Sequence, residues 1–499
     1  MANTPEAKSK QTTLFDIIVL AVLMVGVTLL SVFYLLHQSL RLDEAQSLWQ
    51  TAHTLPVLLK IVAKDVHVPL YHIMLHFWQA FFGNSISGAR VFSLIFFVLT
   101  IPAIFALGKE AFGRKVGLFA ATLTAISPFL NWYGSEARMY SLLVLVTILN
   151  QWFFIRIIRA GRKRNYWGYA ITALLGIFSH YFFFFALLSQ IIFFFINKKS
   201  FPENALKYFV RIGAGLFVLF IPWLVLVFRS GLASQTQPLI TKPTTYNLFN
   251  TINLFFFGFQ GSDLTKLLIS LWPIIFLFLV LALRKDRRNG ERRRIPPVTG
   301  YFLLAGVMPM ILVFLISFVK PSYLDRYLIF SIPSVFIFFG WIVATYPPKI
   351  KNFVSAVLIL LMLFSLGKEV TSAATPVKED YRAAVDYLQQ KAGIQDVIIV
   401  SAPFTVYPIE YYYHGPTSIQ TIPNWNRYDT TGIPAFSEAE LPADVDKLKS
   451  QYRIAWVILS YDQGYNENIR TYMDQHYQRV DQKSFSQNVN LYAYKLKYN

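Results

Sequence analysis

WYGSEARMYSLLVLVTILNQWFFIRIIR, residues 132–159, joins a short polar stretch to a long apolar one. Its polar part carries Glu136 and Arg138, and the residues that follow, to about 158, are mostly apolar. A helix needs about 20 apolar residues to cross the hydrocarbon layer of a bilayer. This stretch therefore predicts a membrane-spanning helix with two opposite charges at one end.

The composition of the whole chain is that of a membrane protein. Of its 499 residues, 55% are hydrophobic and only 15% are charged, and the mean hydropathy is +0.44. One water-soluble core could not bury that much apolar surface. The net charge of +19 does not indicate nucleic-acid binding, because Lys and Arg form short clusters between apolar segments. Cysteine is absent, which excludes disulfides, thiol nucleophiles and thiolate metal sites.

Apolar windows of spanning length recur up to residue 369 and then stop. They predict a multi-spanning α-helical membrane protein with about eleven transmembrane helices. The windows cover residues 14–36, 86–108, 115–130, 138–158, 166–180, 181–197, 207–228, 264–284, 298–319, 327–346 and 351–369.

The basic clusters give this body an orientation. With a cytoplasmic N-terminus, all of them fall on the cytoplasmic side, as the positive-inside rule requires. The clusters cover residues 109–115, 159–164, 198–207, 284–294 and 349–351. Reading 166–197 as a single span would move the seven basic residues of 284–294 outside, so two spans are predicted there.

Composition divides the chain into a membrane domain, residues 1–369, and an extramembrane C-terminal domain, residues 370–499. In the tail, residues 379–390 and 442–451 have helical periodicity, 396–401 is a short β-branched run, and 453–460 is predicted to be a second strand. Alternating helices and strands predict an α/β domain with a partly parallel sheet covered by helices.

Two adjacent carboxylates, Asp43 and Glu44, follow the first apolar window. Each would cost about 2.5–3.5 kcal/mol at the centre of a bilayer, so they must lie at the interface or in a watered cavity. Two interpretations stay open. The pair could be the solvated start of a helix, where acids offset the macrodipole, or it could supply a general base to a membrane-facing cavity.

The same external loop continues to His67 and Tyr71, and Pro69 between them predicts the start of an interfacial helix. His72 and His76 stand at i and i+4 on that helix, a spacing that can hold a metal. No Glu accompanies them as in zinc proteases, so a polar stripe at the membrane surface is the favoured reading.

Other external turns carry charged or imidazole groups. Glu136 and Arg138 could simply pair or extend to the interface, but the Arg138 guanidinium could also bind a phosphate. His180 lies at the next external turn, and Arg326 at another. Such groups at the ends of separate helices, all on one membrane face, predict a shared cavity.

In their order along the chain these motifs resemble the GT-C superfamily. More narrowly, they resemble bacterial family-39-type glycosyltransferases, relatives of protein O-mannosyltransferases and of the aminoarabinose transferase that modifies lipid A. The segments that carry the resemblance are Leu42–Ala45, His67–Tyr71, Ser127–Phe129, Glu136–Tyr140 and Ser179–Tyr181. It covers roughly the first 200 residues well and the rest loosely. Val68 replaces the first of the two prolines that usually follow the loop histidine.

The resemblance implies an inverting transferase that takes a sugar from a polyprenyl-phosphate donor at the extracytoplasmic face of the cell (inner) membrane. Asp43 would accept the proton of the acceptor hydroxyl, help that typically contributes about 10²–10⁴-fold. Asp43 and Glu44 are the predicted catalytic carboxylates, and Arg138 and Arg326 would stabilise the phosphate leaving group. The residues predicted to surround the donor are Arg138, Arg326, His67, Tyr71, Glu136, Tyr140 and His180. The acceptor is a lipid, a glycan or a protein, and participation of a divalent cation stays open.

Two other classes of function fit parts of the sequence. A lipid or glycan transporter or flippase would also have many helices, but paired inverted halves with helices broken at the midplane are not evident. A non-catalytic scaffold would leave Asp43, His67 and Arg138 unexplained. In the tail, Asp444 and Asp446 spell the Asp-x-Asp pattern of nucleotide-sugar enzymes, but they fall in a predicted exposed helix without a glycine-rich phosphate loop.

Overall fold

A computed structural model describes residues 5–65, 67–230, 240–285, 296–372, 375–428 and 432–497. Most of the basic cluster at 284–294 lies outside the described residues. The chain is an integral membrane protein, since seven helices in the described ranges are long and apolar enough to cross a membrane.

The membrane domain contains seventeen α-helices among the residues described. These are α1 (Pro5–His37), α2 (Leu42–Thr51), α3 (Leu55–Lys64), α4 (Leu70–Phe82), α5 (Ile86–Phe112), α6 (Arg114–Ile126), α7 (Pro128–Gly134), α8 (Tyr140–Ala160), α9 (Lys163–Ser179), α10 (Phe183–Ile196), α11 (Ala205–Ser230), α12 (Thr245–Phe257), α13 (Ser262–Ser270), α14 (Trp272–Lys285), α15 (Pro297–Ile316), α16 (Ile332–Thr345) and α17 (Pro348–Thr371). A 3-10 turn, Asp325–Ser331, leads directly into α16 and completes a span of 21 residues.

Every predicted apolar window contains a helix, and the division of 166–197 into two helices is confirmed. Seven windows correspond to the helices of spanning length. The other four correspond to shorter elements, namely α6 with α7, α9, α10 and α14, so the count of eleven crossings stays a prediction. Window 115–130 is broken because Pro128 disfavours a helical conformation at Ser127, which has φ −63° and ψ 118°.

Ion pairs tie helix ends together at the end of the bundle opposite to the external loops. Arg114, at the start of α6, bonds Asp16 of α1 at 2.7 Å. Arg159, in the last turn of α8, lies 3.4 Å from Glu110 of α5. The remaining ends of α1, α5 and α8 must therefore meet at the opposite face.

The first external loop folds into α2, α3 and α4. As predicted, α4 begins just after Pro69, but the prediction of a polar stripe at the membrane surface is wrong. His72 is buried, His76 bonds the Thr51 carbonyl at 2.8 Å, and the outward side of α4 carries Phe77 and Phe81, the latter 82% exposed. Aromatic side chains are favourable against lipid, whereas His76 gains a hydrogen bond inside.

The C-terminal domain is a five-stranded sheet with four α-helices in its described part. Its elements are α18 (Tyr381–Lys391), β1 (Val397–Ser401), α19 (Val406–Tyr412), β2 (Ser418–Thr421), α20 (Leu441–Gln451), β3 (Ile454–Ser460), α21 (Asn466–His476), β4 (Gln478–Ser486) and β5 (Val489–Lys495). The strand order is β2-β1-β3-β5-β4, with β1 parallel to β2 and β3, and with β5 antiparallel to β3 and β4. A partly parallel sheet was expected from the sequence, but α19, β2, α21, β4 and β5 were not.

This sheet domain packs directly on the membrane domain. The Tyr412 hydroxyl accepts a hydrogen bond from the Leu40 N–H (2.9 Å), and the Tyr411 hydroxyl accepts one from the Ile86 N–H (3.0 Å). One hydrophobic core runs from the membrane helices into α18 and β1. The boundary predicted at 369/370 stays a prediction, and α17 ends at Thr371.

We expect removal of both hydroxyls of α19, in Tyr411→Phe/Tyr412→Phe, to loosen the sheet domain. Each loss leaves a backbone N–H without its partner, at a cost of about 1–3 kcal/mol. Hydrogen exchange of α19 should become faster, whereas Tyr246→Phe, at an exposed position of α12, should leave it unchanged. Exchange as slow as in the wild type would show that the two bonds do not hold the domains together.

Candidate active site

A cavity of about 110 Å³ lies between α2, the ends of the membrane helices and the sheet domain. Its floor is the side of α2 that carries Asp43, Gln46 and Gln50, residues spaced at i, i+3 and i+7 on one helix face. Arg138 and Arg326 also line it. The lining residues from the sheet domain, which we call the roof, are Phe404, Tyr407, Trp425, Arg427, Gly432 and Tyr461.

Asp43 is the carboxylate of this cavity, and its side chain is 24% exposed. Its Oδ2 lies 3.3 Å from Nη1 of Arg326, which comes from the turn before α16. Its carbonyl accepts a hydrogen bond from Nη1 of Arg138 at 3.3 Å. Burial would raise the pKa of Asp43, but the positive charges of Arg326 and Arg138 hold it below its ordinary value. Asp43 is thus an ionised, accessible carboxylate beside two guanidinium groups.

Arg138 is buried and held by neutral groups. Its Nη2 lies 2.5 Å from Nε2 of His67, and its Nη1 donates to Ser47 Oγ at 3.2 Å. Burial and the positive charge of Arg138 lower the pKa of His67 well below its ordinary value, so the imidazole is neutral and its Nε2 can accept. These partners therefore do not neutralise the positive charge of the guanidinium, which remains available to a ligand in the cavity.

Glu44, next to Asp43 in sequence, points the other way and is 0% exposed. Its Oε2 bonds Nη2 of Arg90 at 2.6 Å and accepts from the Arg41 N–H at 3.0 Å. Its Oε1 accepts from Nε of Arg90 at 2.9 Å and from the Ala137 N–H at 3.1 Å. These four bonds favour a positioning role for Glu44 in place of the catalytic role predicted from sequence. The sequence also allowed the pair to be the solvated start of a helix. A helix does start there, at Leu42, but Glu44 in its first turn is buried and not solvated.

Glu136 lies behind the cavity wall and does not line it. Its carboxylate is 3.5 Å from Nη1 of Arg41, whose guanidinium stacks 3.5 Å above the Trp132 ring. Burial raises the pKa of Glu136 to about 7, although Arg41 partly offsets the rise. This carboxyl can therefore change its charge near neutral pH.

Three further predicted residues lie near the cavity but do not line it. The Tyr71 hydroxyl bonds Ser93 Oγ at 2.7 Å in the core. Tyr140 is fully buried, and its hydroxyl has no hydrogen-bond partner in the described part of the chain. Nδ1 of His180 accepts from the Phe182 N–H at 3.0 Å, and its ring packs against Tyr327.

Sequence reasoning missed two groups of residues. Asp65 lines the cavity and accepts hydrogen bonds from Nε2 of Gln46 and Gln50 at 3.1 and 3.0 Å. The helical spacing of Asp43, Gln46 and Gln50 was a signal that could have identified this face. The roof residues gave none, because they lie between positions 404 and 461 and belong to another domain.

The roof is fastened to α2 by an aromatic and charged cluster. The Arg427 guanidinium lies 5.3 Å from the Trp49 ring and 5.5 Å from the Tyr407 ring, and its Nη2 bonds Glu410 at 2.6 Å. Trp49 and Tyr407 also contact each other, with ring centroids 5.1 Å apart. Such contacts fix the roof over the floor of the cavity.

The described residues contain no group of three or more His, Cys, Asp or Glu side chains arranged to hold a metal ion. Asp444, of the Asp-x-Asp pattern, lies in α20 and pairs with Lys447 of its own helix at 3.3 Å. The prediction that this pattern belongs to a surface helix is confirmed.

The fold of this chain, a helical membrane domain with a cavity beneath a C-terminal sheet domain, is similar to that of two solved proteins, ArnT and an archaeal oligosaccharyltransferase. Over 98% of its length, and 98% of the other chain, it superposes on ArnT from Cupriavidus metallidurans in the apo state, with a TM-score of 0.63 and 13% identity. ArnT bound to undecaprenyl phosphate matches with a TM-score of 0.60 and 13% identity, over 96% of this chain and 98% of the other.

An oligosaccharyltransferase from Archaeoglobus fulgidus is similar over 88% of this chain and 68% of its own, with a TM-score of 0.52 and 14% identity. Residues 66–226 match the family described as dolichyl-phosphate-mannose-protein mannosyltransferase. No curated protein matches the chain significantly by sequence. The GT-C resemblance predicted from the motifs is confirmed.

We expect Glu44→Ala to destabilise the protein by about 3–5 kcal/mol, because it leaves Arg90 buried without its partner. Asp43→Asn should barely change thermal stability, because Asp43 is partly exposed. Thermal unfolding of both variants in detergent tests this contrast. Equal melting temperatures for Glu44→Ala and the wild type would exclude the positioning role.

We also expect Glu136 to make stability depend on pH. Its pKa is raised from 4.5 to about 7, so its contribution is complete below about pH 4.5 and is lost as the pH rises through 7. The melting temperature should fall over that interval in the wild type. Glu136→Gln, which stays neutral, should show a smaller fall; parallel curves would contradict the assignment.

Proposed function

We propose that this protein is an inverting glycosyltransferase that moves a sugar from a polyprenyl-phosphate donor to an acceptor hydroxyl. The observation that carries the proposal is the meeting of the Asp43 carboxylate with Arg138 and Arg326 in one cavity. A base for the acceptor and fixed cations for a phosphate leaving group are the two requirements of this reaction.

The phosphate of the donor would bind Arg326 and Arg138. Guanidinium groups form strong, directional hydrogen bonds to phosphate oxygens. Arg326 contacts Asp43, so a phosphate that binds Arg326 would compete with the carboxylate for it. The fold relative ArnT was determined with undecaprenyl phosphate bound, which supports a donor of this class.

In the transfer step the acceptor oxygen attacks the anomeric carbon while its proton passes to Oδ of Asp43. The bond between the anomeric carbon and the phosphate oxygen breaks, and polyprenyl phosphate leaves with the bonding electrons. The negative charge that develops on the phosphate is stabilised by Arg138 and Arg326. Attack opposite to the leaving group inverts the configuration of the sugar.

We place the cavity on the extracytoplasmic side of the cell membrane. The basic clusters favour the cytoplasm for the end of the bundle where Arg114 and Arg159 lie. The cavity lies at the other ends of α1 and α8, so the sheet domain, residues 370–499 in our division, is extracytoplasmic. A transporter would need its polar site near the midplane, and this cavity instead lies at the helix ends beneath the roof.

We expect Asp43→Asn to lower the rate of sugar transfer by about 10²–10⁴-fold, because it removes the base. Donor binding should persist, since Arg138 and Arg326 remain. The measurement uses purified protein with radiolabelled polyprenyl-phosphate sugars, a membrane extract as acceptor and arms with and without chelator. Asp263→Asn, at an exposed surface pair with Lys266, is the matched control. Undiminished turnover by Asp43→Asn would remove Asp43 from the mechanism.

A further inference from the structure

Tyr461 has an unusual backbone conformation directly beside the cavity. Its φ of +49° is the only positive value at a non-glycine residue in the described part of the chain. A side chain of this size is strained in the left-handed region, where glycine is free of strain. Strain of this kind persists where the surrounding structure enforces it, and it concentrates at functional sites.

Hydrogen bonds on both sides hold the turn. Tyr461 follows the last residue of β3, and its carbonyl accepts from Nε2 of Gln463 at 3.1 Å. The Asp462 carboxylate accepts from the backbone N–H groups of Gly464 and Asn466 at 2.8 and 3.1 Å. These bonds fix the backbone without using the Tyr461 side chain, so the turn itself does not require a tyrosine.

The side chain lines the cavity that also contains Asp43 and Arg326. Its ring packs edge-on against Phe404 at 6.1 Å, and the Glu379 carboxylate lies close to it. Burial, with Glu379 and Asp43 nearby, raises the pKa of Tyr461 above its ordinary value. The hydroxyl therefore stays protonated and can both donate and accept.

We propose that Tyr461 is the acceptor subsite of the cavity and binds the hydroxyl that Asp43 deprotonates. The inference rests on the proposed function and adds the acceptor side to it. Arg138 and Arg326 serve the donor phosphate, whereas Tyr461 reaches the same space from the sheet domain. The strain at Tyr461 is retained because the turn aims this hydroxyl at the acceptor.

The chemistry of the roof fits a saccharide acceptor. Phe404, Tyr407 and Trp425 line the cavity with aromatic surface beside Tyr461. Aromatic faces carry partial negative charge and attract the polarised C–H groups on one face of a sugar ring. The Tyr461 hydroxyl can bond a hydroxyl group at the edge of that ring. A single serine or threonine side chain would use less of this surface.

Two variants test the inference by separating function from folding. Tyr461→Phe keeps the ring and removes the hydroxyl, and it should raise the acceptor KM about 10-fold, or about 1.4 kcal/mol. Tyr461→Gly relieves the backbone, so it should keep or raise the melting temperature and still impair transfer. Tyr465→Phe is the control, because Tyr465 lies on the same turn but is stacked on Phe436 away from the cavity. It should change neither the acceptor KM nor the melting temperature.

The assay uses radiolabelled undecaprenyl-phosphate sugars, with octyl glucoside as the saccharide acceptor, a serine-containing peptide in a second arm, and water alone in a third. Release of sugar to water should be unaltered in Tyr461→Phe, because the donor side is intact. An unchanged KM for octyl glucoside in Tyr461→Phe, a parallel loss of melting temperature and transfer in Tyr461→Gly, or transfer to the peptide alone would overturn the inference. Failure of the wild type to use any donor, even with water, would refute the proposed function instead.

Discussion

The buried ion pair between Glu44 and Arg90 is the constraint on which the cavity depends. Glu44 belongs to the first turn of α2 and Arg90 to the first turns of α5, and the same carboxylate also binds the Ala137 N–H before α8. One side chain thus joins a loop helix to two membrane helices. A buried pair of this kind contributes little net stability, but losing one partner is costly, so α2 has a single permitted position.

From that position the two neighbouring carboxylates acquire opposite environments. Glu44 has all its lone pairs directed at donors in the core, whereas Asp43, one helical step of 100° away, faces the cavity and Arg326. The difference is one of surroundings and not of residue type. The surroundings of Arg138 also decide its role, because neutral His67 and Ser47 orient the guanidinium without cancelling its charge.

The membrane helices and the gathering of Asp43, Arg138 and Arg326 could be predicted from sequence, because hydropathy and basic clusters report directly on spans and sides. The partner of Glu44 could not be predicted, because Arg90 reads as an ordinary residue within an apolar window. The predicted orientation of α4 was wrong because the periodicity of the sequence separates the polar side of this helix from its apolar side but does not say which of them faces lipid. The roof was missed because contacts such as Trp49 with Tyr407 join distant segments that share no local pattern.

The unbroken core from the membrane helices into α18 and β1 has a consequence for how such proteins diversify. A domain joined by a flexible tether can be exchanged between relatives as a module. Here the Leu40 and Ile86 N–H groups of the membrane domain are hydrogen-bonded to α19. A sheet domain grafted from a relative would therefore lack matching contacts on the membrane domain. Changes in what the roof recognises must therefore accumulate as point substitutions within it, in step with the helices below.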